Sequence, residues 1–212
     1  MRKLNAPIDA LLLEPSSIPR SESALSATCL EYDPSMPNRA KQIPSWHTSR
    51  YCDELQQKSP NNSGEDKWIM CQYEAHLGPV HGLHRHLHLP KIFLTVLDWT
   101  TNVRTEDIRD SPILTLKNQN VQLLDGAWSH TRSSIIFTAA TDGALYLWDI
   151  LAQRITPTLC SQVSESPLLS LSTQEHGKIM AVGSKDGRLS VIQISDNLST
   201  VTKNDKVALT SV

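Results

Sequence analysis

The chain has 212 residues, of which 39% are hydrophobic, and a formal net charge of −2. This length allows one sizeable domain but is too short for a closed ring of seven repeats of about 40–45 residues each. The near-neutral charge disfavours nucleic acid or an anionic membrane as the main partner. The four scattered cysteines disfavour a disulfide framework. The lack of an apolar run of about 20 residues favours a soluble, intracellular protein.

The first third of the chain is poor in repeat signals. Residues 1–22 contain three prolines and predict a disordered arm. Within residues 23–75, the segment Leu30–Pro34 looks like the start of a repeat unit. Residues 40–66 are polar and interrupted by prolines, and residues 58–64 within them predict an open loop. Residues 68–73 could form one further strand. We therefore expect residues 23–75 to hold an incomplete repeat with a polar loop.

An internal repeat occupies residues 76–200, and residues 201–212 are predicted to be a short tail. Asp98, Asp142 and Asp186 follow one another at steps of 44 residues. Chance explains this spacing poorly, because three columns of apolar residues keep the same step. These columns are Val80, Leu124 and Leu168; Leu83, Ala127 and Leu171; and Val103, Leu147 and Val191.

The second repeat unit shows the local pattern best. Ile135–Ala140 and Ala144–Asp149 are apolar or alternating runs, separated by a turn that contains Asp142 and Gly143. An Asp-Gly pair between two such runs is a strong hairpin signal, because glycine adopts the positive φ that these turns need. The third unit repeats the pattern around Asp186-Gly187, so the chain is predicted to be all-β.

The first unit, which starts at Gly78, is the weakest. Its turn at Asp98-Trp99 has no glycine, and the strand that should follow contains Asn102 and Arg104. The order of its segments is the same as in the other two units. We therefore count it as one of three repeats.

The 44-residue period, the Asp-Gly turns and the Trp148-Asp149 pair at a strand end resemble WD repeats. This resemblance implies a partial β-propeller of about three blades with a disordered N-terminal region. Each blade would be a four-stranded sheet buried by its neighbours, so an open array would leave an apolar face at each end. The positions given structural roles are Asp98, Asp142, Gly143, Trp148, Asp149, Asp186 and Gly187.

The order of the motifs is similar to that of the dynein intermediate chains, in particular the axonemal outer-arm branch. The run Gly78–Leu83 followed by Pro90–Thr100 carries this resemblance, and Gly126–Ser129 and Pro157–Leu159 continue it. The chain departs from the family pattern at Asn102–Arg104, where the family has a tryptophan-bearing strand.

The resemblance implies a non-catalytic scaffold that uses no cofactor or metal and works in the cytoskeleton of a cilium or flagellum. Its partners would be a dynein heavy chain, a second intermediate chain and light chains, which together hold the motor on doublet microtubules. Nucleic acid and membrane would not be partners. The alternative is a general WD-repeat adaptor, such as a ubiquitin-ligase receptor or a trafficking scaffold, but such an adaptor would not share the motif order between Gly78 and Thr158.

A group of histidines offers an enzymatic alternative. His84, His86 and His88 would share one face of an extended chain and could bind zinc or copper. No nearby Asp, Glu or Cys completes the ligand set, so a solvated turn between strands is favoured. Asp98, Asp142 and Asp186 are likewise predicted to serve turns in different blades rather than one catalytic cleft.

Aromatic and arginine side chains give the remaining candidates. Trp128 and Trp148 are predicted to lie in the core, because they bury large areas. Trp99, Arg104 and Arg109 form a candidate partner contact, because aromatic and arginine residues are enriched among binding hot spots.

Overall fold

The computed structural model describes residues 27–30, 42–47, 51–56, 69–74, 80–118, 120–152 and 156–200. These residues form fifteen strands in four antiparallel sheets, together with one single-turn α-helix and one 3-10 turn. No helix in these ranges is long and apolar enough to cross a membrane. The predicted arm 1–22, the predicted tail 201–212 and the centre of the predicted loop at 58–64 lie outside the described residues.

Sheet 1 contains β1 (Ala27–Leu30), β2 (Gln42–His47), β3 (Tyr51–Gln56) and β4 (Ile69–Glu74), paired in that order. β2 and β3 lie in the polar segment that precedes the predicted loop at 58–64, where the sequence predicted no strand. Pro44 stands opposite Glu54 in their hairpin. One proline removes one backbone donor, which weakens a short ladder without abolishing it.

Sheets 2, 3 and 4 follow from the three predicted repeat units. Sheet 2 contains β5 (Gly82–Arg85), β6 (Ile92–Leu97), β7 (Thr100–Thr105) and β8 (Leu114–Lys117). Sheet 3 contains β9 (Leu123–Trp128), β10 (Ile135–Ala140), β11 (Ala144–Asp149) and β12 (Leu159–Gln162). Sheet 4 contains β13 (Leu168–Thr173), β14 (Ile179–Ser184) and β15 (Leu189–Gln193), followed by α1 (Asp196–Ser199).

Sheets 2, 3 and 4 pack face to face in turn, and each of these two interfaces buries one hydrophobic cluster. Between sheets 2 and 3 the cluster includes Leu94, Val96 and Trp148, and between sheets 3 and 4 it includes Phe137 and Met180. Sheet 1 meets sheet 2 where β1 contacts β5. The predicted all-β partial propeller of about three blades is therefore confirmed by sheets 2, 3 and 4, and sheet 1 adds one further four-stranded sheet.

The 44-residue repeat also appears in the contacts between sheets. The indole Nε1 of Trp128 donates to the carbonyl of His84, 44 residues earlier, at 3.2 Å. His130 Nδ1 lies 2.8 Å from the carbonyl of Gln174, again 44 residues away. Hydrogen bonds thus join residues at equivalent positions of neighbouring blades. The first strands of these blades accordingly lie side by side.

Candidate interaction surface

Two hairpin turns have the same geometry. Gly143 and Gly187 have φ of 79° and 84°, the left-handed region that favours glycine. The carboxylates of Asp142 and Asp186 accept hydrogen bonds from the backbone N–H two residues later, at 3.0 and 3.2 Å. The Ser184 hydroxyl and this backbone N–H hold the pKa of Asp186 below its usual range. These four residues shape turns at equivalent positions of sheets 3 and 4.

The turn of sheet 2 is one residue tighter. Leu97 pairs with Thr100, which leaves only Asp98 and Trp99 between the strands. Asp98 takes the positive φ itself, at 41°, and its carboxylate accepts a hydrogen bond from Gln122 Nε2 at 3.0 Å. Asp98 thus supplies the left-handed residue where the other two turns use glycine.

Trp148 and Asp149 are the last two residues of β11, at the end of the β10–β11 hairpin that lies opposite its turn. Trp148 is 1% exposed, and its Nε1 donates to Thr138 Oγ1 at 2.9 Å. Asp149 accepts from the backbone N–H of Leu151 at 3.1 Å and lies 3.4 Å from Arg132 Nη2. Trp148 is therefore a core residue, as is Trp128 at 3% exposure.

The candidate contact formed by Trp99, Arg104 and Arg109 does not exist as one patch. Trp99 is 52% exposed, whereas Arg104 is 1% exposed and cannot meet a partner. Arg109 is exposed but follows the opposite end of β7. Six strand residues separate the two ends, which is about 17 Å at 3.3 Å per step. The prediction relied on the enrichment of aromatic and arginine residues in binding hot spots, and it took no account of the side of the strand on which each side chain lies.

Arg104 instead occupies the position of a core tryptophan. It lies 44 residues before Trp148 in the equivalent strand, and both are buried. A guanidinium in that place is stabilised only where polar groups surround it, because a buried charge is costly to desolvate. The neighbouring residues Thr101 and Asn102 are buried and polar as well.

The structure does not place His84, His86 and His88 along one strand, because β5 ends at Arg85. In the described part of the chain, no group of three or more His, Cys, Asp or Glu side chains could hold a metal ion. His88 is exposed, as expected of a solvated turn, but His86 is 2% exposed, contrary to that expectation.

His86 joins two sheets. Its Nδ1 accepts hydrogen bonds from the backbone N–H groups of His88 and Leu89 at 3.1 and 3.0 Å. The proton is therefore on Nε2, which donates to the carbonyl of Ser133 at 3.2 Å. The ring also packs edge-on against Trp128, with centroids 4.7 Å apart. Burial lowers the pKa of His86 from 6.5 to about 4, so the ring is neutral at physiological pH.

Asp125 is a linking residue that the sequence did not reveal. It is 9% exposed, and its carboxylate accepts from the backbone N–H groups of Gly126 and Leu171, both at 2.8 Å, and lies 3.1 Å from His84 Nε2. These partners belong to sheets 3, 4 and 2. A side chain at Gly82 would come within 2.8 Å of the same carboxylate, so glycine is needed there. The only signal in the sequence is an acid within the otherwise apolar or small run of β9.

Comparison with known families decides which kind of propeller this is. The model of the dynein axonemal intermediate chain 3 WD40 domain matches residues 40–194, well over half of the chain. The chain belongs to this dynein intermediate chain family. The match begins within sheet 1 and ends one residue after β15, so it covers parts of all four sheets.

Individual intermediate chains match along the whole sequence. The chain is 37% identical over 212 residues to "Dynein intermediate chain 3, ciliary" of Heliocidaris crassispina. It is 32% identical to "Dynein axonemal intermediate chain 2" of Homo sapiens and 32% identical to "Dynein, 70 kDa intermediate chain, flagellar outer arm" of Chlamydomonas reinhardtii. Each match covers 100% of this chain but only 34%, 34% and 36% of the relative, so the chain spans about a third of the length of these curated relatives.

The buried histidine of this intermediate chain should make its stability depend on pH. Because the pKa of His86 is about 4 in the folded state and 6.5 in its ordinary environment, the folded state binds fewer protons than the unfolded state between these values. The stabilisation is fully present above pH 6.5 and is lost as the pH falls towards 4. The difference of about 2.5 pKa units corresponds to about 3 kcal/mol.

Urea unfolding at pH 7, 6, 5 and 4 measures this loss. A His86→Asn variant keeps an acceptor for the two backbone N–H groups but has no titrating ring, so its unfolding free energy should fall less steeply. His176→Asn, at an exposed position, is the matched control and should follow the native slope. Equal slopes for the native chain and His86→Asn would contradict the assignment.

Proposed function

We propose that the chain is a scaffold portion of an axonemal dynein intermediate chain. It holds other subunits of the motor complex in place and performs no catalysis itself. Its partners are a dynein heavy chain, a second intermediate chain and light chains, and through them it is attached to microtubules in a cilium or flagellum. The observation that carries this proposal is the match to axonemal intermediate chains along the whole sequence.

The structure supports a scaffold because most of its polar contacts serve packing. Asp125 and His86 each join neighbouring sheets, and the repeated aspartates shape turns. These residues hold the blades in a fixed relation, which leaves the loops at the two ends of the blades as the surfaces that can bind. A general WD-repeat adaptor would share the blades but has no reason to match the axonemal chains throughout.

Each end of sheet 2 exposes side chains suited to a protein contact. At one end Trp99 is exposed above the turn. At the other end, Leu87 and Ile108 are 55% and 48% exposed on two loops. Those loops are tied together by an ion pair between Arg85 and Glu106 at 2.6 Å, with Arg85 side chain 4% exposed. A rigid loop with an exposed apolar tip costs little entropy on binding.

Trp99 is the first of these side chains to test, because exposed tryptophan is strongly enriched at binding hot spots. A tagged chain expressed in ciliated cells should be recovered with dynein heavy chains. A Trp99→Ala variant should reduce the recovery of at least one dynein subunit by roughly tenfold, which corresponds to about 1.4 kcal/mol. Leu159→Ala is the matched control for loss of an exposed apolar side chain, because Leu159 is also 52% exposed but lies on β12 of sheet 3, away from both ends of sheet 2 that are offered as contacts.

The two parts of this experiment answer separate questions. Recovery of ubiquitin-ligase or coat subunits with no dynein chain would contradict the proposed function. Recovery of dynein at an unchanged level with Trp99→Ala would leave the dynein assignment standing and remove Trp99 from the contact.

A further inference from the structure

The loop between β7 and β8 is longer than the pairing of these two strands needs. It runs from residue 106 to residue 113, whereas Asp98 and Trp99 alone join β6 to β7 in the same sheet. Antiparallel neighbours need only about two connecting residues. Longer loops on a rigid scaffold commonly carry function. The length of this loop therefore calls for an explanation beyond the sheet.

The middle of this loop lies open between two anchors. The backbone N–H groups of Ile108 and Ile113 donate to carbonyls of β7 at 3.3 and 2.9 Å. Between these hydrogen bonds, residues 109–111 are exposed to solvent. The hydroxyl group of Ser111 can therefore be reached without any opening of the sheet.

Ser111 is followed by Pro112, and this order has a chemical meaning. Steric contact with the proline ring keeps the preceding residue extended. Protein kinases bind the segment around the acceptor hydroxyl in an extended form, and the proline-directed class requires proline at the next position. Proline suits their substrate pocket because it brings no backbone N–H that would lose its hydrogen bond there. Ser111-Pro112 thus meets the local requirements of such a kinase.

A second Ser-Pro pair in the described ranges shows that the dipeptide alone is not enough. Ser166 precedes Pro167 in the connection between β12 and β13, but it is half-buried. Its backbone N–H donates to Ser164 Oγ at 3.0 Å, and the Pro167 carbonyl accepts from the backbone N–H of Lys185 at 2.8 Å. A kinase would reach Ser166 only after this segment had opened, which costs free energy. Accessibility therefore separates Ser111 from Ser166.

The charged side chains on the loop of Ser111 cancel. Two carboxylates of this loop form ion pairs with Arg85 and Lys91, and its remaining two charges, on Arg109 and Asp110, have opposite signs. A phosphate on serine adds a charge of about −1.5 to −2 at pH 7. It would lie three residues from Ile108, which is 48% exposed. A contact that buries Ile108 would then have to desolvate a phosphate, so the added charge disfavours that contact.

We propose that a proline-directed protein kinase phosphorylates Ser111, and that the phosphate weakens the binding of a partner protein at Leu87 and Ile108. The kinase transfers the γ-phosphoryl group of ATP to Ser111 Oγ. The new P–O bond forms as the bond to ADP breaks, and the hydroxyl proton passes to the catalytic carboxylate of the kinase. The second half of this proposal rests on the proposed function, because it treats Leu87 and Ile108 as a contact with another dynein subunit.

Phosphate mapping tests the site. The tagged chain, incubated with ATP and a purified proline-directed kinase and analysed by tandem mass spectrometry, should carry phosphate on Ser111. Labelling of Ser166 should be at least roughly tenfold slower, because its segment must first open. A Ser111→Ala variant should lose this phosphate and keep the melting temperature of the native chain, since Ser111 is exposed. No phosphate on Ser111, or equal labelling of Ser111 and Ser166, would overturn the proposal.

Recovery of dynein subunits tests the consequence. The tagged chain is treated with the kinase, with or without ATP, and is then used to recover proteins from an extract of ciliated cells. Phosphorylation should lower the recovery of at least one dynein subunit by roughly threefold or more, and kinase-treated Ser111→Ala should show no such loss. Equal recovery with and without phosphate would overturn the regulatory half and leave the proposed function intact. Absence of dynein from both samples would contradict the proposed function, and the regulatory half with it.

Discussion

Replacing Trp148 by alanine should lower the free energy of unfolding by about 3–5 kcal/mol, the usual range for removing a buried aromatic side chain. Trp148 is 1% exposed and packs in the cluster between sheets 2 and 3. The substitution also removes the hydrogen bond that Thr138 accepts at 2.9 Å inside this cluster. Both losses act on an interface between blades, so the two sheets should separate more easily.

Urea unfolding of the native chain and the variant measures the effect. Trp99→Ala serves as the matched control, because Trp99 is 52% exposed and its removal should change stability by no more than about 0.5 kcal/mol. If Trp148→Ala were as stable as Trp99→Ala, Trp148 would not be a core residue. The interface between sheets 2 and 3 would then need another explanation.

The repeat step was enough to predict most of sheets 3 and 4. β10 and β11 span the predicted residues without a shift, because an Asp-Gly turn fixes both strand ends at once. The weak first unit also forms a hairpin, although its turn has no glycine. Asp98 supports this turn by adopting a positive φ, which aspartate tolerates better than most residues.

β2 and β3 of sheet 1 were missed because these strands do not carry the repeat signals, whereas the strand expected at 68–73 corresponds to β4. β2 and β3 contain polar residues and one proline, and no Asp-Gly pair joins them. β2 and β3 pair through backbone hydrogen bonds, which any residue type except proline can donate, so the amino-acid composition of these strands gives little indication of the pairing.

The contacts between blades could not be predicted from residue type. Arg104 was placed at a binding surface, yet it fills a core position because the repeat puts it in register with Trp148. His86 was assigned to a solvated turn, yet its ring satisfies two backbone N–H groups below the surface. Asp125 gave almost no signal. In each case the environment of the side chain depends on the neighbouring blade that packs against it. That blade comes from a part of the sequence 40 or more residues away.

Two glycines with the same backbone conformation should respond very differently to alanine. Gly143 and Gly187 have φ of 79° and 84°, so a side chain at either position is strained by about 1–2 kcal/mol. A Cβ at Gly187 would meet no atom within 4 Å, so we expect no further cost there. A Cβ at Gly143 would lie 2.0 Å from the carbonyl oxygen of Ser164 and 2.9 Å from that of Ser166.

The crowding at Gly143 comes from backbone that cannot move freely. The Gly143 carbonyl accepts hydrogen bonds from the backbone N–H groups of Val163 and Ser164 at 3.0 and 3.1 Å, which hold this segment over the turn. Gly143→Ala must break these bonds or distort the hairpin, and should therefore cost about 3–5 kcal/mol in total. Gly187→Ala should cost only about 1–2 kcal/mol, the strain of the left-handed conformation alone. Chemical unfolding of both variants under one condition measures the difference in unfolding free energy directly. A Gly187→Ala variant as unstable as Gly143→Ala would show that backbone strain in the turn, and not the crowding by the segment at Ser164, determines the loss of stability.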